Sequence, residues 1–259
     1  MDHFSLKNKK AFITGGCSGI GLAVAKRYIS AGAEVVLADL HDGGAVAEKI
    51  GAHFLELNVT DENQFERILA KANTLVGKLD VLLNNAGIGD LPGTIEEGDF
   101  ATWSRLINVN LFGVLFGLKH GPKHMADGGS IINTASQAAL TKLPGGEPYA
   151  ATKAAVISLG QTAALELGPR HIRVNTVCPT YTKTPMTEEN WEEEGSLIKT
   201  FSPMNRVADI SDMVGVFHFL AADESSFISG QSFTVDGGWT AGISYGAINA
   251  ILNNKENNE

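Results

Sequence analysis

Apolar residues along this chain fall into two alternating kinds of run. Short, near-continuous β-rich stretches stand at 10–14 (KAFIT), 34–39 (EVVLAD), 53–57 (HFLEL), 80–85 (DVLLNN), 130–136 (SIINTAS), 173–178 (RVNTVC) and 232–236 (SFTVD). Between them, segments 19–31, 61–75, 102–119, 148–168 and 210–222 carry apolar positions at helical spacing. Strands separated by helices predict a parallel sheet. Strands that are apolar on both sides need cover on both faces, so the pattern predicts one doubly wound α/β sheet of about seven strands, with helices above and below. Ligands of such sheets bind beyond the carboxyl ends of the strands, where the strand order reverses, and that is where informative residues are expected.

Composition narrows the picture. The 259 residues, 44% hydrophobic and 19% charged, suffice for one core, so residues 1–259 are expected to form a single domain ending in a frayed polar tail, NNKENNE. A net charge of −9 argues against a nucleic-acid or anionic-membrane partner, since both reward clustered Lys and Arg. The two cysteines, Cys17 and Cys178, form no CxxC pair, which argues against a disulfide scaffold or zinc site and fits a reducing cytosol. The N-terminal apolar run is too short for a signal peptide and no stretch approaches a membrane span, so a soluble, cytoplasmic protein is expected. His120 and His124 in KHGPKH share a helix-face spacing. Gly121 and Pro122 should spoil that helix, however, and no third ligand is in view, so no metal is expected.

After KAFIT comes GGCSGIGLAVAKRYISAG, a glycine-rich turn opening into an amphipathic helix. Gly15, Gly19 and Gly21 would let the backbone approach a pyrophosphate, which the unpaired N–H groups of the helix start attract. The next strand ends at Asp39, placed to accept hydrogen bonds from a ribose 2′-OH and to repel a 2′-phosphate. Leu40 and Cys17 occupy the two places where a cation could offset that repulsion, so NAD is favoured over NADP. At a helix N-terminus, Cys17 is read either as an acidified thiol, whose alkylation slows activity and is prevented by NAD, or as a shielded and inert one. In EPYAATKAAV, Tyr149 and Lys153 lie four residues apart on one helix face, with Pro148 suited to the first turn. Alone, such a pair is an ordinary surface feature.

The motifs acquire meaning together. Thr14–Gly21 reads TGxxxGxG, followed in order by NNAG (84–87), INVN (107–110), IINTAS (131–136), YAATK (149–153), NTVCPTYTKTPM (175–186) and GQSFTVDGGW (230–239). This series resembles the short-chain dehydrogenase/reductase family over nearly the whole chain, implying a Rossmann-type fold and a nicotinamide cofactor. The resemblance implies that Tyr149 is the acid/base, Lys153 lowers its pKa and holds the nicotinamide ribose, Ser136 orients the substrate oxygen, and Asn110 fixes a relay water with both amide ends. It places Gly15, Ser18, Gly19, Ile20 and Gly21 along the cofactor's phosphates, Cys17 close to its adenosine ribose, and Asp39, Leu40, Asn58 and Val59 at its adenosine end. Asn85, Ala86, Gly87, Pro179, Thr182 and Thr184 would complete the cofactor site.

Three residues depart from the family pattern. Asn58 stands for an Asp that reaches the adenine amino group, and its amide oxygen could accept the same bond. Thr180 replaces a common Gly, and Thr182 a Val or Ile. Substrate choice should lie in a lid at about 185–206, with Trp191 on its apolar side, and in Gln137, Glu147, Thr180 and Tyr181 beside Ser136 and Tyr149. Glu147 and Asp90 disfavour a carboxylate or phosphate substrate. The expected activity is reversible, NAD-dependent oxidation of a neutral secondary alcohol such as a polyol, a cyclic alcohol or a terpenoid or steroid-like one. The alternatives are a ketoreductase of 3-oxoacyl thioesters and a non-catalytic NAD-binding sensor or scaffold. The C-terminal extension 241–259 carries Ile243, Tyr245, Ile248, Ile251 and Leu252, too apolar to be left in water. With the resemblance, this implies a homotetramer whose tail reaches a neighbour's site.

Overall fold

A computed structural model describes residues 3–90, 93–188 and 191–256, without the side chains of 191–194 and 254–256. In chain order, the strands are β1 (Lys10–Thr14), β2 (Glu34–Asp39), β3 (His53–Glu56), β4 (Leu79–Asn84), β5 (Met125–Thr134), β6 (Arg173–Pro179) and β7 (Ser232–Val235). They form one sheet in the order β3-β2-β1-β4-β5-β6-β7, and every pairing is parallel. The chain therefore winds outward from β1 in one direction and from β4 in the other, leaving a crevice at their carboxyl ends.

The helices are α1 (Gly19–Ser30), α2 (Gly44–Ile50), α3 (Glu62–Val76), α4 (Phe100–Leu106), α5 (Gly113–His124), α6 (Glu147–Leu167), α7 (Trp191–Phe201), α8 (Ile210–Ala221) and α9 (Tyr245–Glu256). On one face, Val24 and Tyr28 of α1 meet Met213, Phe217 and Leu220 of α8 over Ile13, Leu37 and Ile132. On the other, Phe65 and Leu69 of α3, Phe116 of α5 and Ala163 of α6 cover Phe12, Leu82 and Ile131. Alternate residues of each strand thus enter different cores, which is why the strands read as unbroken apolar runs. Tyr28 is wholly buried and its hydroxyl donates to Phe217 O at 2.9 Å, so the polar atom it brings into that core is paired.

Two expectations about helices change. The segment 102–119 is longer and interrupted: α4 passes through a wide turn at Ile107–Phe112, where Gly113 N–H bonds back five residues to Asn108 O, and then into α5. That helix also runs through Gly121 and Pro122 to His124. Pro122 lies in the last turn, and its carbonyl accepts from Met125 N–H and from Arg170 Nη1 at 2.7 Å. His120 packs against α3, with Nε2 3.0 Å from Glu62 and Nδ1 3.5 Å from Glu66. Among the described residues no three His, Cys, Asp or Glu side chains cluster as metal ligands, and no helix is long and apolar enough to cross a membrane.

The C-terminal extension docks lightly. Ser244 Oγ donates to Thr200 O at 2.6 Å and Ala247 is buried against α7, whereas Ile243 and Tyr245 are 78% and 85% exposed. Ile248, Ile251 and Leu252 are exposed as well, so the apolar residues of this segment do not enter their own chain's core.

The N-terminus is pinned through His218 of α8. Its Nδ1 accepts from Arg27 Nε at 2.9 Å, which requires a neutral ring, and its Nε2–H donates to Phe4 O at 2.7 Å. Burial, helped by the Arg27 charge, holds His218 below its ordinary value against the opposing pull of the Phe4 carbonyl. A lowered folded value means that the contribution is present above the unfolded pKa of about 6.5 and is lost as pH falls through the folded one. Between pH 7.5 and 5, the wild-type melting temperature should therefore fall by more than that of His218→Gln. Equal falls in the two proteins would contradict this.

Candidate active site

The glycine loop is shaped by what it abuts. Gly15 has φ +62°, and a Cβ there would lie 2.8 Å from Ala86 Cα, so this position excludes any side chain. Asn85 Nδ2 donates to Thr14 O at 3.1 Å and Gly15 O at 3.0 Å, while Thr14 Oγ1 accepts from Asn85 N–H at 3.0 Å and Ala86 N–H at 3.1 Å. The ends of β1 and β4 are thereby clasped across the crevice. Ser18 caps α1 by position but makes no side-chain bond to it, and the first turn holds no acid, which leaves an anion-accepting helix start. Ile20 packs beneath, against the core. Thr184 overhangs the loop, 3.7 Å from where a Cβ of Gly19 would stand.

At the end of β2, Asp39 Oδ2 accepts from Cys17 N–H at 3.0 Å and Oδ1 from Leu40 N–H at 2.8 Å, fixing the carboxylate. Leu40 is 54% exposed. Of the two readings of Cys17, the acidified thiol does not hold. Desolvation, then Asp39 and Asp42, push its thiol up to about 11, so two acids outweigh the helix start and the thiol is not activated. Asp42, a second negative charge at this end, was not singled out from sequence. The Asn58 expectation changes as well: its Oδ1 accepts from both Thr60 N–H at 3.0 Å and Thr60 Oγ1 at 2.8 Å. With both lone pairs used in this turn, the amide oxygen is not open to an adenine amino group. Val59 beside it is buried under Gly113.

The carboxyl ends of β4, β5 and β6 gather the remaining residues. Lys153 is 3% exposed, and its Nζ donates to Thr134 O at 3.1 Å and lies 5.6 Å from the centre of the Tyr149 ring. Burial lowers Lys153 to about 8, against the pull of Cys178. Tyr149 is half-buried; desolvation raises its phenol above the ordinary value, opposed by a hydrogen bond with Ser136. The expected lowering by Lys153 is thus not what these side chains produce: burial raises the phenol, and the pull that opposes it comes from Ser136. A Cβ on Gly87 would fall 3.1 Å from Asn110 Oδ1 and 3.3 Å from Lys153 Nζ. The missing side chain leaves a recess bounded by an ammonium and an amide, suited to the hydroxyls of a ribose.

Asn110 is fully buried in the wide turn, but its amide faces Ile88: Oδ1 accepts from Ile88 N–H at 2.8 Å and Nδ2 donates to Ile88 O at 2.9 Å. Both amide ends are committed to this strut rather than to a water, which corrects the expected role. Ile88 was missed because its contribution is all main chain. Tyr181 is likewise occupied, its hydroxyl donating to Thr187 O at 3.1 Å, and Thr182 Oγ1 donates to Thr180 O at 2.8 Å. Pro179 ends β6, and Thr180 beyond it is 9% exposed. Thr180 opens onto a cavity lined also by Ile198, Met204, Arg206 and Asp236, beside the expected lid. Trp191 opens α7, but its side chain lies outside the described residues. Asp90 is paired with Arg105, so its charge is offset and does not repel a substrate as expected.

A family model described as enoyl-(acyl carrier protein) reductase matches residues 15–240. The chain belongs to the short-chain dehydrogenase/reductase family. It is 40% identical over 248 residues to a trans-4-hydroxycyclohexanecarboxylate dehydrogenase of Sinomonas cyclohexanicum, covering 90% of this chain and 93% of that one. It is 38% identical over 252 residues to a 3-alpha-(or 20-beta)-hydroxysteroid dehydrogenase of Mycobacterium bovis, covering 95% of each. Among solved structures, a short-chain type dehydrogenase/reductase from Mycobacterium marinum superposes with a TM-score of 0.87 at 32% identity, over 93% of this chain and 99% of that chain.

Proposed function

We propose that this protein is an NAD-dependent dehydrogenase of neutral secondary alcohols, working reversibly on the matching ketones. The observation that carries the reading is the convergence of Ser136, Tyr149 and Lys153 beside the recess at Gly87. Both named relatives are dehydrogenases of ring alcohols, one a hydroxysteroid and the other a hydroxycyclohexanecarboxylate, which supports a secondary-alcohol dehydrogenase over a thioester ketoreductase or a non-catalytic sensor. Neutrality of the substrate rests on the hydroxysteroid relative alone. When bound, the cofactor supplies the hydride acceptor and, oxidised, a positive charge.

In this reading the chain's own residues handle the proton. Ser136 holds the substrate oxygen next to the Tyr149 hydroxyl, and Tyr149 takes the carbinol proton as general base. Lys153, anchored on Thr134 O, holds the ribose and places an ammonium beside the ring; below about pH 8 it carries that charge. Burial that raises Tyr149 also excludes water, which strengthens each neighbouring charge on the phenolate. Asn110 acts by bracing Ile88. Residues 185–206 act as the substrate lid.

Tyr149→Phe, which removes only the ionisable oxygen, should retain cofactor binding and lose at least about tenfold in kcat. Steady-state oxidation assays with cyclic alcohols check this, and retention of more than about a tenth of wild-type kcat would end the acid/base assignment.

NAD preference rests on the fixed Asp39 carboxylate, the exposed Leu40 and the additional acid Asp42. Asp39→Ser combined with Leu40→Arg should shift the ratio of kcat/KM for NAD and NADP toward NADP. A wild-type enzyme that uses both equally would contradict the assignment.

The exposed apolar residues of α9 support a homotetramer in which this segment meets a neighbouring copy. Light scattering on the full chain should give four times the monomer mass, and on a chain lacking 241–259 a smaller assembly. A monomeric full-length protein would refute the proposal.

A further inference from the structure

The segment that carries α7 leaves the sheet after β6 and rejoins the body at one place: Thr182 and Ala208 bridge, and Lys183 N–H donates to Ala208 O at 3.2 Å. Between those ends, α7 needs something to lie against. Among the described residues, no strand and no other helix packs against it as extensively as α9 does. The C-terminal extension, which begins where the family match at residues 15–240 ends, is thus the main support of the expected lid.

The junction is built from helix ends. Ser244 is 5% exposed, and its Oγ donates to Thr200 O at 2.6 Å while accepting from Ala247 N–H at 3.0 Å. Thr200 O lies in the last turn of α7, where carbonyls lack partners further along the helix, and Ala247 N–H in the first turn of α9, where amides lack them too. One hydroxyl therefore serves both helices. A Cβ on Gly246 would stand 2.7 Å from Thr200 O, so the two backbones touch there and a side chain would force them apart. Next to this contact, Phe201 at the end of α7 stacks on Trp239, with ring centres 5.5 Å apart and planes 8° from parallel. Trp239 is fixed to the end of β7, because the Asp236 carboxylate accepts from Gly238 N–H at 3.0 Å and from Thr240 N–H and Oγ1, both at 2.7 Å. The same stretch of α7 supplies Ile198 to the cavity shared with Thr180, at the carboxyl end of β6.

We infer that Ser244 is a positioning residue for the substrate: by tying α9 to the end of α7 it holds the lid in register with the carboxyl end of β6, and so acts on substrate affinity rather than on hydride transfer. The inference rests on the dehydrogenase reading above, with α7 as part of the substrate lid. Ser244 works through Thr200 and Ile198, not on the reacting atoms. The buried Ser244 and Ala247 lie apart from the exposed Tyr245, Ile248, Ile251 and Leu252, so the tie to α7 leaves those residues available to a neighbouring copy.

The full-length enzyme is assayed with NAD and with NADP on cyclohexanol and on a 3α-hydroxysteroid. Ser244→Ala removes the tie and Gly246→Ala pushes the helices apart. Each should raise KM for the alcohol about fivefold and leave kcat within about twofold, with KM for the cofactor unchanged and the wild-type mass by light scattering. An unchanged KM for the alcohol in either folded variant overturns the inference while leaving the dehydrogenase reading intact. A loss confined to kcat, or one that appears only with a smaller assembly, overturns it too. If the variants fail to fold, the wild type decides, because coupling between two sites is reciprocal. Adding the alcohol to the NADH-bound enzyme should slow amide hydrogen exchange in 244–250 as well as in 197–202, and unchanged exchange in 244–250 overturns the inference. No turnover of either alcohol with either cofactor overturns the dehydrogenase reading, and the inference with it.

Discussion

The clasp between Thr14 and Asn85 is the constraint on which the site depends. It joins the two strands at the point where the winding of the sheet reverses, and it does so with main-chain as well as side-chain groups. Because Asn85 binds the carbonyls of Thr14 and Gly15, the glycine loop cannot lift away from β4, and Ala86 comes close enough to forbid a side chain on Gly15. Everything downstream is referenced to that junction. Gly87 sits two residues beyond Asn85, Asn110 braces the next residue, and Lys153 reaches the same recess from α6. A parallel sheet provides the crevice, but this clasp sets its width.

Electrostatics at the two ends of the crevice work in opposite directions. At the adenosine end, acids dominate: Asp39 is held by two main-chain amides, and together with Asp42 it makes Cys17 harder to ionise. At the chemical end, desolvation dominates: it favours the neutral forms of both Tyr149 and Lys153. The second effect means that the protein alone does not present a ready base. A low-dielectric recess with an ammonium at its edge responds strongly to any further charge introduced there.

How much of this was legible in the residue pattern follows from what each feature depends on. The sheet was readable because strands buried on both faces leave long apolar runs, and the glycine loop because its spacing is local. Gln137 and Glu147 were recognisable as neighbours of motif positions, although the burial that leaves one polar atom of each without a partner was not. The acidified reading of Cys17 fails because burial raises the thiol first, and Asp39 at the end of β2 and Asp42 raise it further. The role of Asn110 changed because its amide is taken up by Ile88, 22 residues away, whereas the bonds from Thr60 to Asn58 span only two residues and form a local turn that the residue pattern could have shown. Pro122 looked like a helix breaker, yet the helix continues two residues beyond it.

The wide turn at Ile107–Phe112 puts local regularity and site geometry in conflict. Such a turn holds one residue more than an ordinary helical turn, and each residue of an α-helix advances the direction of its side chain by about 100°. Losing a single residue here would give a more regular helix while rotating one side of the interruption relative to the other. Asn110 would then no longer meet Ile88, or the α5 face would no longer meet α3. This helix is therefore a place where a one-residue gap, invisible to composition and hydropathy, would be more damaging than most substitutions.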